Sequence, residues 1–213
     1  MRKRYGEQLD MLHGEIIRMG EMIERAILGA VSALETHDVD RAREIIASDE
    51  EIDHQEKLVE GLCMKLLLSQ QPVAGDLRRV SSALKVITDM ERIGDHATDI
   101  SELTLMLSSV PGMGADDLRQ MAAKTCEMLL GSLEAFVHQD TEQAHAVIAK
   151  DDEVDALFLR VKSDIVNALR SEPGEGEEAI DLLMAAKYFE RIGDHATNIA
   201  EWAIYAVSGK HEA

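Results

Sequence analysis

Apolar residues recur every three or four positions through most of this 213-residue chain, the spacing that puts them on one face of an α-helix. The first such series runs from Leu9 to Leu34, and the next begins after His37. Interruptions by proline and glycine separate three of these series from the next. Six helices are predicted in this way, at about residues 9–34, 38–70, 76–107, 118–137, 141–170 and 177–207.

Prolines mark three of the predicted connections. Pro72 follows the second helix and disfavours helical geometry in the residue before it. Pro111 opens the run Pro-Gly-Met-Gly, and Pro173 lies between the last two helices. The chain is therefore predicted to be all-α, with two tandem three-helix bundles covering residues 1–110 and 111–213.

The two halves contain the same polar segment. Residues 91–102 read ERIGDHATDISE, and residues 190–201 read ERIGDHATNIAE, with ten of twelve positions identical. A second match relates residues 49–53 to residues 151–155. Packing tolerates exchanges between apolar residues of similar volume, so it does not by itself explain why charged residues keep their spacing. A duplicated polar site is the stronger explanation.

Composition narrows the function. The net charge of −19 repels phosphate groups, which argues against binding to DNA or RNA. No stretch is long and apolar enough to suggest insertion into a membrane, and the N-terminus lacks the apolar run of a signal peptide. Cys63 and Cys126 have no counterparts in the other half, which indicates buried thiols in a reducing cytoplasm.

The repeated acids have a spacing that a helix alone does not favour. Carboxylates four residues apart share one helix face and repel each other by a few tenths of a kcal/mol. A hard or borderline metal ion shared between two helices would relieve this repulsion. The candidate metal ligands are Asp49, Asp53, Glu91, Asp95 and Asp99 in the first half, and Asp151, Asp155, Glu190, Asp194 and Asn198 in the second.

The plainer interpretation is a solvated acidic face, in which Arg92 and Arg191 pair with neighbouring acids. Gly94 and its repeat at position 193 each weaken a helix by roughly 1 kcal/mol relative to alanine, which indicates either a tight helix crossing or space for ions. His96 and its repeat at position 195 lie one residue beyond the acids, so a supporting or structural role is predicted for them. The Glu-x-x-His spacings at residues 51–54 and 142–145 do not match between the halves and are interpreted as coincidence.

The duplicated segment, the paired Asp-x-x-x-Asp segments and Met19-Gly20 of the first helix together resemble the PhoU family, from Tyr5 to about Val207. The resemblance implies two three-helix bundles related by pseudo-twofold symmetry. It implies negative regulation of phosphate uptake and of the phosphate-starvation regulon. The expected partners are the ATPase subunit PstB of the phosphate ABC transporter and the sensor histidine kinase PhoR.

The resemblance also implies multinuclear metal clusters of iron or zinc, with manganese and magnesium as alternatives, held by (Glu/Asp)-x-x-x-Asp motifs. In this chain those motifs are Asp49/Asp53, Glu91/Asp95, Asp151/Asp155 and Glu190/Asp194, with Asp99 and Asn198 one turn further on. The amide of Asn198 predicts a less charged second site.

The sequence is compatible with three functions. The first is a cytoplasmic, non-enzymatic adaptor that binds metal and self-associates, with a homodimer as the expected form. The second is a metalloenzyme whose carboxylate-bridged ions activate water or oxygen. The third is a plain helical scaffold whose acids only keep it in solution. The absence of a matched histidine set and of a separate general base favours the adaptor over the enzyme.

Overall fold

The computed structural model describes residues 2–70, 75–108, 114–171 and 176–210, and these ranges contain six α-helices and no β-strand. The helices are α1 (Arg2–Thr36), α2 (Val39–Gln70), α3 (Gly75–Met106), α4 (Ala115–His138), α5 (Thr141–Ser171) and α6 (Gly176–Ser208). The predicted all-α fold is confirmed. The largest difference is at α1, which begins seven residues before Leu9.

Tyr5 explains why α1 extends beyond its apolar series. Its ring packs partly buried against the hydrophobic core, and its hydroxyl donates a hydrogen bond to the carbonyl oxygen of Asp76 at 3.5 Å. The residues around it are polar, so the sequence pattern has no periodic signal there. The N-terminal turns of α1 are thus held by a contact with the start of α3.

The turns from α1 to α2 and from α4 to α5 have the same construction. His37 and Gln139 adopt left-handed backbone conformations, with φ of 50° and 58°. Each is followed by an aspartate, and the side chains of Asp38 and Asp140 accept hydrogen bonds from backbone N–H groups three residues later, both at 3.0 Å. The left-handed residue ends one helix and the aspartate caps the next, so both chain reversals are tight.

The six helices share one hydrophobic core. Helices α1, α3, α4 and α6 lie at the centre, where α1 packs on α4 and α3 packs on α6. Helix α2 covers α1 and α3 on one flank, and α5 covers α4 and α6 on the other, without contact between α2 and α5 in the described ranges. The predicted pair of three-helix bundles is confirmed, and the most extensive helix contact, α3 with α6, joins one bundle to the other.

The connections around Pro72, Pro111 and Pro173 lie outside the described residues, which omit 71–74, 109–113 and 172–175. The predicted boundary between residues 110 and 111 falls in the second of these gaps. It stays a prediction.

The aspartate caps provide a test of the fold. Replacing Asp38 or Asp140 with alanine leaves a backbone N–H at the start of α2 or α5 without its acceptor. We expect each change to lower the free energy of unfolding by about 1 kcal/mol in urea titrations. Asp164→Ala, at an exposed position within α5, is the matched control. Equal stability of cap and control variants would contradict this account.

Candidate metal centre

The predicted acids of the first half converge in the groove between α2 and α3. Asp49 and Asp53 approach from α2, while Glu91, Asp95 and Asp99 approach from α3, and we call these five residues the first acid cluster. The pKa of Asp49 is raised by burial and by the charges of Asp95, Asp53 and Asp99, against a hydrogen bond from Thr98 that lowers it. Acids from two helices therefore share one electrostatic environment.

Glu91 shows the same effect at the other end of this cluster. Burial raises the pKa of its carboxyl group, and the nearby charges of Asp95, Glu56 and Asp53 raise it further, while Arg92 lowers it. Arg92 lies 3.1 Å from Asp95 and 3.5 Å from Glu91, but its side chain is exposed. Exposed pairs of this kind contribute little, so the arginine offsets only part of the repulsion.

The second half forms an equivalent group between α5 and α6. Asp151 and Asp155 of α5 face Glu190 and Asp194 of α6, and we call these four residues the second acid cluster. Burial, together with the charges of Asp194, Asp155 and Glu190, raises the pKa of Asp151 to about 6. The acids crowd most strongly around Asp151, the residue that lies beneath its neighbours against the backbone of α6.

The repeated glycines explain how these aspartates reach the neighbouring helix. A Cβ atom at Gly193 would lie 3.0 Å from Oδ1 of Asp151, closer than ordinary van der Waals contact. At Gly94 it would lie 3.2 Å from Cγ2 of Ile52 and 3.9 Å from Oδ1 of Asp49. A tight helix crossing and free space were the two alternatives predicted for the glycines, and they occur together. Each glycine allows the helices to cross closely and leaves room for a carboxylate over the backbone.

Oxygen donors supplied by two helices fit a hard or borderline cation. In the described ranges, no three side chains of histidine, cysteine, aspartate or glutamate already surround a common point at coordination distance. Loading with metal therefore requires the carboxylates to rotate towards one another. Asp49, Asp53, Glu91 and Asp95 are placed to do so across the α2–α3 groove, and the partly buried Asp49 would be the deepest ligand.

The repeated histidines lie at the contact between α3 and α6. Their ring centroids are 5.7 Å apart. Nδ1 of His195 lies 2.8 Å from Oδ1 of Asp89, so this nitrogen carries the proton that is donated to the carboxylate. The ring of His96 stacks on Tyr188 at a centroid distance of 5.5 Å. Asp89 and Tyr188 are 99 residues apart, the same offset as the histidines, so the contact obeys the pseudo-twofold symmetry.

Asp99 and Asn198 both connect to this histidine contact. Asp99 accepts a hydrogen bond from Nδ1 of His96 at 3.1 Å, and Asn198 donates one from its amide to Oδ1 of Asp89 at 3.2 Å. A carboxylate at position 198 would face the charge of Asp89. Asn198 is thus explained by its partner in the α3–α6 contact, whereas Asp99 also contributes charge to the first acid cluster.

Sequence reasoning missed four residues at these sites: Asp89, Tyr188, Glu56 and Lys187. Each differs from the residue at the equivalent place in the other half, so a search for identical repeats passes over it. Alignment of the two halves would find them, if the positions of the site at which the residues differ were examined as well as the identical ones.

The described helices include none with the length and hydropathy needed to cross a membrane.

Comparison with known proteins finds similarity to a single protein family. Residues 16–104 and 118–203 match the family model of the PhoU domain. The chain is 36% identical, over 98% of its length and 96% of the relative's, to a phosphate-specific transport system accessory protein PhoU homolog of Clostridium acetobutylicum. A homolog of the same description from Caulobacter vibrioides is 32% identical, with 98% of this chain and 91% of that protein covered.

Solved structures show the same fold. The crystal structure of PhoU from Pseudomonas aeruginosa superposes with a TM-score of 0.89 at 30% identity, and covers 97% of this chain and 100% of that one. The phosphate transport system regulatory protein PhoU from Streptococcus pneumoniae gives a TM-score of 0.91 at 25% identity, with 98% and 99% covered.

The raised pKa of Asp151 predicts a dependence of stability on pH. In the unfolded chain this group titrates near 3.8, and in the folded protein near 6, so the folded state binds the proton more tightly. Stability of the metal-free protein therefore falls as pH rises through this window. Asp151→Asn removes that loss, and we expect it to stabilise the metal-free protein at pH 7 by about 1 kcal/mol, after allowance for solvent screening.

The measurement is thermal unfolding in chelator between pH 4 and pH 7, with Asp164→Asn at an exposed position of the same helix as control. The gain should shrink towards the acid end of the range, where the group is protonated in the folded protein and begins to bind its proton in the unfolded chain too. A variant less stable than the wild type at pH 7 would contradict the crowding described for Asp151.

Proposed function

Because this chain belongs to the PhoU family, we propose that it is a metal-binding, non-enzymatic adaptor that restrains phosphate uptake and keeps the phosphate-starvation regulon silent. In this proposal it acts in the cytoplasm, between the ATPase subunit PstB of the phosphate ABC transporter and the sensor histidine kinase PhoR. The descriptions of its relatives as accessory and regulatory proteins of phosphate transport support the role.

The observation that carries the metal part of the proposal is the convergence of acids from α2 and α3 at the first acid cluster. These acids raise one another's pKa values, so each proton or cation that binds relieves a repulsion already present in the fold. A bound iron or zinc ion would supply positive charge that joins the two helices. Asp49, Asp53, Glu91 and Asp95 would hold it.

A non-enzymatic role is supported by the use of the histidines. His96 and His195 pack and hydrogen-bond in the contact between α3 and α6, where they stabilise the junction of the two bundles. Burial lowers the pKa of His96 despite its hydrogen bond with Asp99, which favours the neutral ring of a packed side chain. The repeated histidines thus have a structural use that needs no reaction.

The arrangement of the outer helices suits an adaptor. Helices α2 and α5 lie on opposite flanks, so the protein offers two related but non-identical faces. The charge of −19 favours association with basic surfaces, which accelerates encounter and weakens as salt rises. Self-association as a homodimer stays a prediction, which analytical ultracentrifugation would test.

Metal analysis tests the first acid cluster. Protein purified without chelators should contain iron, zinc, manganese or magnesium, and Asp53→Ala or Asp95→Ala should remove the metal that is held at the first acid cluster. Metal at a hundredfold excess over its dissociation constant stabilises a protein by about 3 kcal/mol, so the wild type should melt at higher temperature with metal and these variants should not. Asp152→Ala is the control. Metal-free protein whose melting temperature ignores added metal would refute this part of the proposal.

The adaptor role is tested by capture of PstB and of the cytoplasmic part of PhoR from cells grown in high phosphate. We expect both to be retained at low salt and progressively lost as ionic strength rises, because an acidic surface makes screened contacts. Capture from cells grown in low phosphate is the comparison. Retention of neither partner at any salt concentration would contradict the proposal.

A further inference from the structure

The two acid clusters differ in charge at positions that the pseudo-twofold symmetry makes equivalent. The first half has Glu56, Glu60, Thr88 and Asp99, where the second half has Phe158, Lys162, Lys187 and Asn198. Each of these exchanges makes the second groove less negative. Leu159 in place of Lys57 acts in the other direction, but Lys57 is exposed and lies 3.6 Å from Asp53 at the rim.

Lys187 is the exchange that places a cation inside the second groove. Its ammonium group forms an ion pair with Glu190 one turn further along α6. The side chains of Lys187 and Glu190 are 38% and 16% exposed, so this pair is better shielded than the pairs of Arg92 in the first half, where the arginine is 58% exposed. Asp194 lies one turn beyond Glu190 on the same face of α6, so the charge of Lys187 is near a second member of the cluster.

Phe158 holds this ammonium group in place. The Nζ atom of Lys187 lies 5.6 Å from the centroid of the Phe158 ring, within the range of a cation–π interaction. In the first half the equivalent residue is Glu56, whose carboxylate raises the pKa of Glu91. The second half therefore has Phe158 and Lys187 where the first half has Glu56 and Thr88.

We propose that Lys187 is the built-in cation of the second acid cluster, and that it keeps metal out of that cluster, so that the wild-type protein binds metal at the first acid cluster alone. The inference rests on the proposed metal-binding function and narrows it. It makes the two halves unequal, with one face of the adaptor responsive to metal and the other permanently neutralised in part.

Asp151 is the group on which the two effects oppose each other. It keeps strong repulsion from Asp194 and Asp155, because Lys187 pairs with Glu190 and not with Asp151. A metal ion bridging α5 and α6 would need Glu190 or Asp194 together with the Asp151–Asp155 pair. Both α6 acids are within the field of Lys187, so the ion must displace the ammonium group before it can bind.

The symmetry supplies its own exchange experiment. Lys187→Thr installs the residue of the first half at the equivalent position, and we expect this variant to bind metal beyond the wild-type amount. A charge at this distance shifts binding equilibria by one or more powers of ten, so the affinity of the second cluster should rise about tenfold or more. The extra metal should disappear when Asp194→Ala is added to Lys187→Thr.

The reverse exchange is Thr88→Lys, which puts a lysine three residues before Glu91 just as Lys187 precedes Glu190. We expect it to weaken metal binding at the first acid cluster about tenfold or more, for the same reason. Lys85→Thr, which removes an exposed lysine of α3 outside both clusters, controls for the loss of one positive charge in Lys187→Thr. Metal content by elemental analysis and melting temperatures with and without chelator are measured on every variant.

In chelator, Lys187→Thr should melt at a lower temperature than the wild type, because Glu190 loses its partner. Added metal should raise the melting temperature of the variant and remove this difference. Thr88→Lys should show no such loss in chelator. These melting temperatures measure the contribution of the lysine to stability even in protein without detectable metal. A melting transition also shows that each variant folds.

The outcomes separate the inference from the function beneath it. Wild-type metal that is lost in Asp95→Ala and retained in Asp194→Ala, with a gain in Lys187→Thr, supports both. Wild-type metal lost in part by each of these alanine variants leaves the metal-binding function standing and overturns the inference. A wild type without metal refutes the proposed metal binding, and then a Lys187→Thr variant that binds metal supports the inference, whereas one that does not overturns it.

Discussion

The packing of α3 against α6 is the constraint on which the rest of the structure depends. These helices carry the two copies of the repeated segment, so the most extensive contact in the protein joins a helix to its own duplicate. Ile93 and Ile192 of the two segments are fully buried, as are Ala97 and Ala196 one turn later. Two bundles that each buried their own apolar faces would not need this contact, but here four inner helices form one core.

The same segment uses different sides of the helix for different purposes. One side is apolar and enters the core, a second carries the histidine and meets its duplicate, and a third presents the acids to the outer helix. Because a helix turns by about 100° per residue, a run of twelve residues can serve all three at once. This explains why nearly every position of the segment is retained twice, although only some of its residues face the acid clusters.

Stability and function oppose each other in the two grooves. Glycine weakens a helix, and like charges on adjacent helices repel, yet both occur at the same place in each half. The fold tolerates the cost because Gly94 and Gly193 lie on helices held by the central core. The surrounding packing therefore fixes the backbone despite the repulsion between the acids. The two halves then solve the same electrostatic problem with different residues.

The sequence by itself determined the six helices, their approximate boundaries and the duplication, because apolar periodicity and repeated segments can be read along the chain without knowledge of its tertiary contacts. It also indicated that the repeated acids would share helix faces, since they recur at a spacing of four residues. Only the tertiary structure decided that α3 packs on α6, that Asp89 and Tyr188 meet the two histidines, and that Lys187 reaches Glu190 above the ring of Phe158. These contacts join residues of different helices or depend on which side chain lies beneath another, and the spacing of residues along one helix does not contain that information.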